Sequence, residues 1–513
     1  ESQRLAASIE PNVSVLNGYE GWVFALETAE FTLKDHFKVA ALDGFGLKGR
    51  TAAIGAAGGA LHYVSQHLRR DVAHFTRLAF YEVADTLVLD AATLKHLEIL
   101  EPLHREAAKP ATLYAALNCT STPMGARRLR DWLSQPLSSV EAIRRRQSAV
   151  SQFLHNSPAL DRFRESLKEI RDLERTISRL SIGSGNARDL VQLSGALGQL
   201  PMLRGMIAEV QRAIDPAAPT LSEEVFGEAE PHVPQPLRSE LGGQLHGLPE
   251  VTGLISKGIA AEPPLTIKDV GIIREGFDPA LDELRRGAIE GKDWIAKLQK
   301  EESEKTGITS LKVRFNSVFG YFIEVTKTNL DKVPEHYMRK QTMTNAERFI
   351  TPELKDMEGK ILGSEERSQK LEYELFQYVR EQVLLSLRQI QQIASAVAQL
   401  DVLAGFAEVA RLRGYVCPEI SDEGMLQIDE GRHPGLEQAL IGKPFVPNDT
   451  QLVSDAQQIA VITGPNMAGK STYIRQAALL ALLAHTGPFV PAKQARVGLG
   501  DRIFTRIRAR ADL

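Results

Sequence analysis

The chain has 513 residues, of which 25% are charged and 6% aromatic, with a formal net charge of −4. That length calls for several domains, because single hydrophobic cores stop growing near about 250–300 residues, and the acidic balance gives no overall electrostatic case for nucleic acid, so any such surface has to be local. The two cysteines, Cys119 and Cys417, lie far apart and outside any C-x-x-C spacing, which argues against a disulfide framework or a zinc site and fits a reducing, cytoplasmic setting; no long apolar run or charged-then-apolar leader supports membrane insertion or secretion.

From about Tyr19 to Asp90, strand-like runs such as Thr86-Leu87-Val88-Leu89 alternate with helix-like ones such as Arg50 to Arg69, which predicts a small α/β unit. From Pro110 the pattern turns helical, first over Thr112 to Leu117 and then over Pro123 to Leu133. Arg127, Arg128 and Arg130, and likewise Arg144, Arg145 and Arg146, fall at helical spacing and read as solvated or interdomain faces. Breaks are expected at Gly183 to Asn186, at Pro231 to Pro236 and at Glu262-Pro263-Pro264.

Leu311 to Asn316 and Tyr321 to Val325 alternate apolar and polar residues around Phe319-Gly320, the signature of a hairpin. Between Ile308 and Arg348 there are seven Lys/Arg against four acids, so the sign of the charge reverses locally. A small β-rich unit of this kind can grip a DNA backbone through phosphate contacts that carry no sequence information. Next comes a stretch of 65 residues without proline, between Pro352 and Pro418. In it Leu375, Val379, Val383, Leu387, Ile390, Ile393, Val397 and Leu400 recur in steps of three and four, one face of a helix. If continuous it would reach on the order of 95 Å, with Gly359, Gly363, Gly405 and Gly414 as possible breaks; periodicity fits a lever and a plain bundle helix equally. Met425 to Glu430 reads as a structural strand, and His433, before Pro434, as a structural residue of a turn.

The most informative segment comes last. Ile459 to Thr463 is a β-branched run that predicts a strand, Gly464-Pro465-Asn466-Met467-Ala468-Gly469-Lys470-Ser471 fits the phosphate-binding spacing G-x-x-x-x-G-K-[ST], and Thr472 to His485 predicts a helix. In that context backbone N–H groups at a helix N-terminus cradle phosphate oxygens, Lys470 neutralises terminal phosphate charge and Ser471 ligates Mg²⁺.

The wording Pro465-Asn466-Met467-Ala468 between the glycines, followed by Ser471-Thr472-Tyr473, resembles the MutS family of DNA mismatch-repair ATPases. Gly431-Arg432-His433-Pro434, Phe445-Val446-Pro447-Asn448-Asp449 and Asp501 to Arg506 resemble the same family's flanking segments, Leu42 to Leu47 its connector, and Pro123 to Leu133 the start of its helical core. The resemblance implies a multidomain α plus α/β protein. Residues 1–107 would be a partial α/β connector, 108–291 the first part of a long-helix core and lever, and 292–352 a small β-rich DNA clamp. Residues 353–416 would be the lever helix returning to the core, and 417–513 the start of a truncated P-loop NTPase domain.

The resemblance further implies ATP and Mg²⁺ as cofactors, with Phe445 stacking on adenine, Asn466 near the γ-phosphate, and Gly464 to Thr472 forming the nucleotide site. Arg339, Lys340, Gln341, Thr344 and Asn345 would lie against the duplex backbone. Mismatched double-stranded DNA, a second copy of the chain and a MutL-type protein are the implied partners, and the bacterial cytoplasm and nucleoid the implied setting. Two departures stand out: Ala468, where the family commonly has glycine, and Arg508 to Leu513, which only partly matches the family's usual Gly-Ala-x-Asp-Asp-Leu. The chain begins at Glu1 and stops at Leu513 before any second acidic strand, and no mismatch-reading Phe-x-Glu domain is evident, so it reads as an interior fragment that binds nucleotide without turnover. Other readings are a MutS-related scaffold that binds DNA junctions in recombination, and a chromosome-organising P-loop ATPase, against which the Pro-Asn-Met wording speaks.

Overall fold

The computed structural model describes residues 18–70, 72, 75, 78, 86–103, 112–212, 236–266, 270–316, 318–440, 445–465 and 469–506. Asn466, Met467 and Ala468, the break at 231–235 and the segment 508–513 lie outside the described residues. The protein is mostly helical and divides into two compact units, one of residues 186–195 and 248–386 and the other of the rest of the chain. Its strands are β1 (Val88–Leu89), β2 (Lys312–Asn316), β3 (Gly320–Thr326), β4 (Met338–Thr342), β5 (Ala346–Ile350), β6 (Glu419–Ser421), β7 (Met425–Gly431), β8 (Asn448–Val453), β9 (Gln494–Gly498) and β10 (Arg502–Ile503).

The larger unit is built on the helix Leu387–Arg413, 18 of whose 27 residues are buried. It has the length and apolarity of a membrane span, but its most apolar window is 89% buried inside the fold, which makes it a core helix. Helices Pro123–Ser134, Val140–Leu154, Ser157–Lys168 and Leu173–Ser181 pack around it. Each starts where the sequence supplies a capping oxygen for the free N–H groups of its first turn: Thr122 accepts from Gly125, Ser139 from Ala142, Asn156 from Ala159 and Asp172 from Arg175. One polar group sits in the middle of this core. Asp401 is fully buried and accepts from Ser121 N, Thr122 N and Thr122 Oγ1, each at 2.7 Å, while a Cβ on Gly125 would overlap Asp401 Oδ2. Burial pushes the Asp401 carboxyl above the usual carboxylate range, and those hydrogen bonds oppose the shift.

The basic clusters belong to this packing. Arg127 forks onto Asp172 and Glu174, Arg128 reaches Ser395 Oγ at 3.1 Å, Arg130 lies over the Tyr114 ring, and Arg144 donates to Ile420 O at 2.6 Å. They are packed within the helical core, where the sequence suggested solvated or interdomain faces.

In the smaller unit, helices Pro279–Thr306 and Pro352–Leu385 run together, and β2 to β5 form an antiparallel sheet in the order β2-β3-β5-β4. The expected hairpin is present, with Val313 opposite Ile323 and Phe315 opposite Tyr321. Ile323, Val325 and Phe349 pack one face of the sheet on Ile295, Leu298, Leu354 and Ile361 of the two helices. Two buried glutamates of the helix Pro352–Leu385 hold its neighbours: Glu358 accepts from Tyr321 N of β3 at 2.6 Å, and Glu372 accepts from Ile272 N in a loop at 2.8 Å and pairs with Arg285 at 2.6 Å.

Three expectations are corrected. The proline-free stretch forms two helices that part at Ser386, so no single rod of 65 residues exists; Gly359, Gly363 and Gly405 lie inside helices, and Gly414, with φ +62°, follows the end of the second. The strand Val88–Leu89 pairs in parallel with Arg502–Ile503, so among the described residues the segment 19–90 has helices and no sheet of its own. Ile459 to Thr463 is not in a strand, because no described residue offers it a ladder partner, and Ile459 and Val461 are 81% and 85% exposed.

Candidate functional site

Of the phosphate-loop spacing the structure describes Gly464, Pro465 and Gly469 to Ser471, and Gly469 directly precedes the helix Lys470–Thr486. Gly464 has φ +151° and Gly469, the residue before the helix, φ +82°, conformations that a side chain would strain. Lys470 Nζ donates to Gly464 O and, at 2.8 Å, to Pro465 O. Ser471 is exposed and Thr472 half-buried in the first turn, where unpaired N–H groups and the helix dipole favour an anion.

A second layer holds the helix, built partly from the strand expected over Met425 to Glu430. Strands β6 to β9 form one sheet in the order β6-β9-β7-β8, on which the helix packs. The fully buried Gln476 donates to Gly431 O at 2.9 Å and accepts from Asn448 Nδ2 at 3.3 Å. Tyr473 OH donates to Asp449 O at 3.1 Å, and Asp449 Oδ1 accepts from Glu430 N at 2.8 Å. The segment following the half-buried Phe445 is thereby tied to the helix that Lys470 opens. His433 is structural, as the sequence suggested: it is 7% exposed, and its Nδ1 accepts from Leu436 N at 3.3 Å to cap the helix Pro434–Ala439. Burial, and next the charge of Arg475, push its imidazole down to about 4.

The candidate DNA residues sit in the smaller unit, on the hairpin β4–β5. Its turn closes with Met343 N donating to Ala346 O at 2.9 Å. Lys340, Thr344 and Asn345 are exposed. Arg339 is paired at 2.7 Å with Glu347, which is buried, and Gln341 accepts from Arg348 at 2.8 Å, so these two are engaged within the sheet. The end of β3 reaches the same turn, with Lys327 N donating to Asn345 O at 3.2 Å. Beside it Ser310, Thr326, Thr328 and Asn329 form a chain of hydroxyl and amide hydrogen bonds. Among the described residues Lys312, Lys327, Lys332 and Lys340 have no carboxylate partner, so the local positive excess rests on lysines free to meet an anion, with Lys327 the one nearest the Thr344-Asn345 turn.

Comparison with known sequence families matches residues 2–76 to MutS domain II, 92–407 to MutS domain III and 460–513 to MutS domain V. The chain belongs to the MutS family. Proteins named DNA mismatch repair protein MutS are similar over nearly the whole chain. That of Symbiobacterium thermophilum is 44% identical over 96% of the chain and 54% of its own length, that of Myxococcus xanthus 43% over 100% and 55%, and that of Lachnoclostridium phytofermentans 41% over 96% and 50%. The chain thus spans about half the length of the curated MutS relatives it matches.

Proposed function

We propose that the chain is the connector-to-nucleotide stretch of a MutS-type mismatch-repair protein, which binds ATP at Gly464 to Thr472 and grips mismatched double-stranded DNA with the clamp formed by β2 to β5. The observation that carries the nucleotide assignment is the arrangement at the helix N-terminus: Gly464 and Gly469 with positive φ, and Lys470, the first residue of the helix, donating to Pro465 O. ATP with Mg²⁺ would supply the phosphate charge and the metal. Lys470 would exchange loop carbonyls for phosphate oxygens, Ser471 would offer its hydroxyl to the metal, and Phe445 would stack on the base. Lys340, Thr344 and Asn345, with Arg339 and Gln341 behind them, meet backbone phosphates, which need charge and hydroxyl or amide donors and no base reading. Assembly as a homodimer and a MutL-type partner belong to the same reading.

Fluorescence anisotropy of a duplex carrying one mismatch, titrated with the protein in the presence and absence of Mg²⁺ and a slowly hydrolysed ATP analogue, tests it. The analogue should change the DNA affinity by about fivefold or more in the wild type and not in Lys470→Ala. DNA affinity that ignores the analogue in both proteins overturns the reading.

A further inference from the structure

The helix that begins at the phosphate loop ends in a socket of the helical core. Its last carbonyl, Thr486 O, accepts from Arg146 Nη1 at 2.7 Å. Arg146 stands on the helix Val140–Leu154, is 9% exposed, and stacks its guanidinium 3.5 Å from the centroid of Trp132 on the helix Pro123–Ser134. The negative end of the helix dipole is the charge that faces this buried cation. Gly487 closes the helix with φ +101°, and a Cβ there would lie 2.7 Å from that of Arg146, so the site admits no side chain.

One residue earlier, His485 is held from three sides. Gly500 N donates to its Nε2 at 3.2 Å, which leaves the proton on Nδ1 to be donated to Leu137 O at 2.8 Å, and Leu137 N donates back to His485 O at 3.0 Å. Leu137 lies in the short connection between the two core helices. Ala484 completes the socket by packing with Ile143, Ile420 and Val497.

We propose that this socket is the joint through which displacement of the phosphate-loop helix is passed to the helices Pro123–Ser134 and Val140–Leu154, with Arg146 as its positioning residue. A helix of 17 residues is a stiff strut of about 25 Å, so movement imposed at Lys470 arrives at Thr486. Apolar contacts can slide, whereas the directed hydrogen bonds that join Arg146 and Leu137 to the helix end resist sliding. The proposal rests on the nucleotide reading for its physiological input, although the mechanical claim can be tested without nucleotide.

Amide hydrogen exchange of the full chain provides the test. Ile474→Gly, at a site 46% exposed, loosens the loop end of the helix. It should raise exchange of the 140–154 amides roughly fivefold in the wild-type background and less than about twofold on top of Arg146→Met, the non-additivity that marks coupled residues. Arg146→Lys, which keeps a donor for Thr486 O, should retain much of the response and serves as the second variant if Arg146→Met does not fold. Equal increments in both backgrounds, as a purely structural Arg146 would give, or no increment in the wild type, overturn the joint. Added Mg²⁺·ATP should slow exchange in 470–486 and 140–154 together in the wild type, and in 470–486 alone in Arg146→Met. Slowing in neither segment counts against the nucleotide reading, while the nucleotide-free arm still decides the joint.

Discussion

His433 should make the protein less stable in mild acid, by an amount that follows from its surroundings. Its Nδ1 accepts the Leu436 N–H, so the ring serves only while that nitrogen is unprotonated; burial and the neighbouring Arg475 both oppose the proton. The folded value of about 4 lies below the 6.5 of an ordinary histidine, so the unfolded chain takes up a proton that the folded chain refuses. Stability is therefore complete above about pH 6.5 and is lost as pH falls toward 4. The full loss is about 3 kcal/mol, with about 2 kcal/mol gone by pH 5. Asparagine is an equally good capping acceptor and does not titrate, so His433→Asn should keep the helix start and remove this part of the pH dependence. Urea unfolding of both proteins at pH 7.5 and pH 5 measures it: the wild type should lose about 2 kcal/mol more than the variant between the two conditions. His485, lowered by its own burial, acts in the same direction in both proteins and cancels in the difference. Equal losses in wild type and variant would refute the reasoning.

Gly125→Ala should lower stability by about 2–3 kcal/mol in thermal or urea melts, because its Cβ must displace the Asp401 carboxylate from three buried hydrogen bonds. Lys340→Ala should flatten the slope of log K against log salt for DNA by about 0.9 at unchanged stability. Arg339→Ala should also cost about 1–3 kcal/mol of folding stability, since it leaves Glu347 buried without its cation; the two single variants therefore separate binding from folding where a double variant would mix them. Glu372→Gln should destabilise the smaller unit by about 1.5–3 kcal/mol, read by urea unfolding, because an uncharged amide weakens the contacts to Arg285, Gly271 N and Ile272 N.

Local signals in the sequence carried the elements that local physics decides. The alternation around Phe319-Gly320 and the helical run that follows Gly469 each act within a few residues, and the hairpin and the helix appear where they were expected. What the sequence concealed depends on partners far along the chain. Asp401 looks like one acid in an apolar helix until the fold brings Ser121 and Thr122, some 280 residues earlier, onto it. Arg146 read as part of a solvated or interdomain cluster, yet its partner is the last carbonyl of a helix 340 residues on. Ile459 to Thr463 has the composition of a strand, but a strand also needs neighbours, and composition says nothing of where they are. In the clamp, local charge identified the region but not the pairings. Register decides that Arg339 meets Glu347 and Gln341 meets Arg348, while Lys340 stays free.

The central claim is that Gly464 to Ser471 form a nucleotide site. Calorimetric titration of the protein with Mg²⁺ and a slowly hydrolysed ATP analogue, in wild type and Lys470→Ala, addresses it directly. Removing one charge-assisted contact to phosphate should weaken binding by about 1.5–3 kcal/mol, or roughly 10- to 150-fold. Equal affinity in the two proteins would contradict the account.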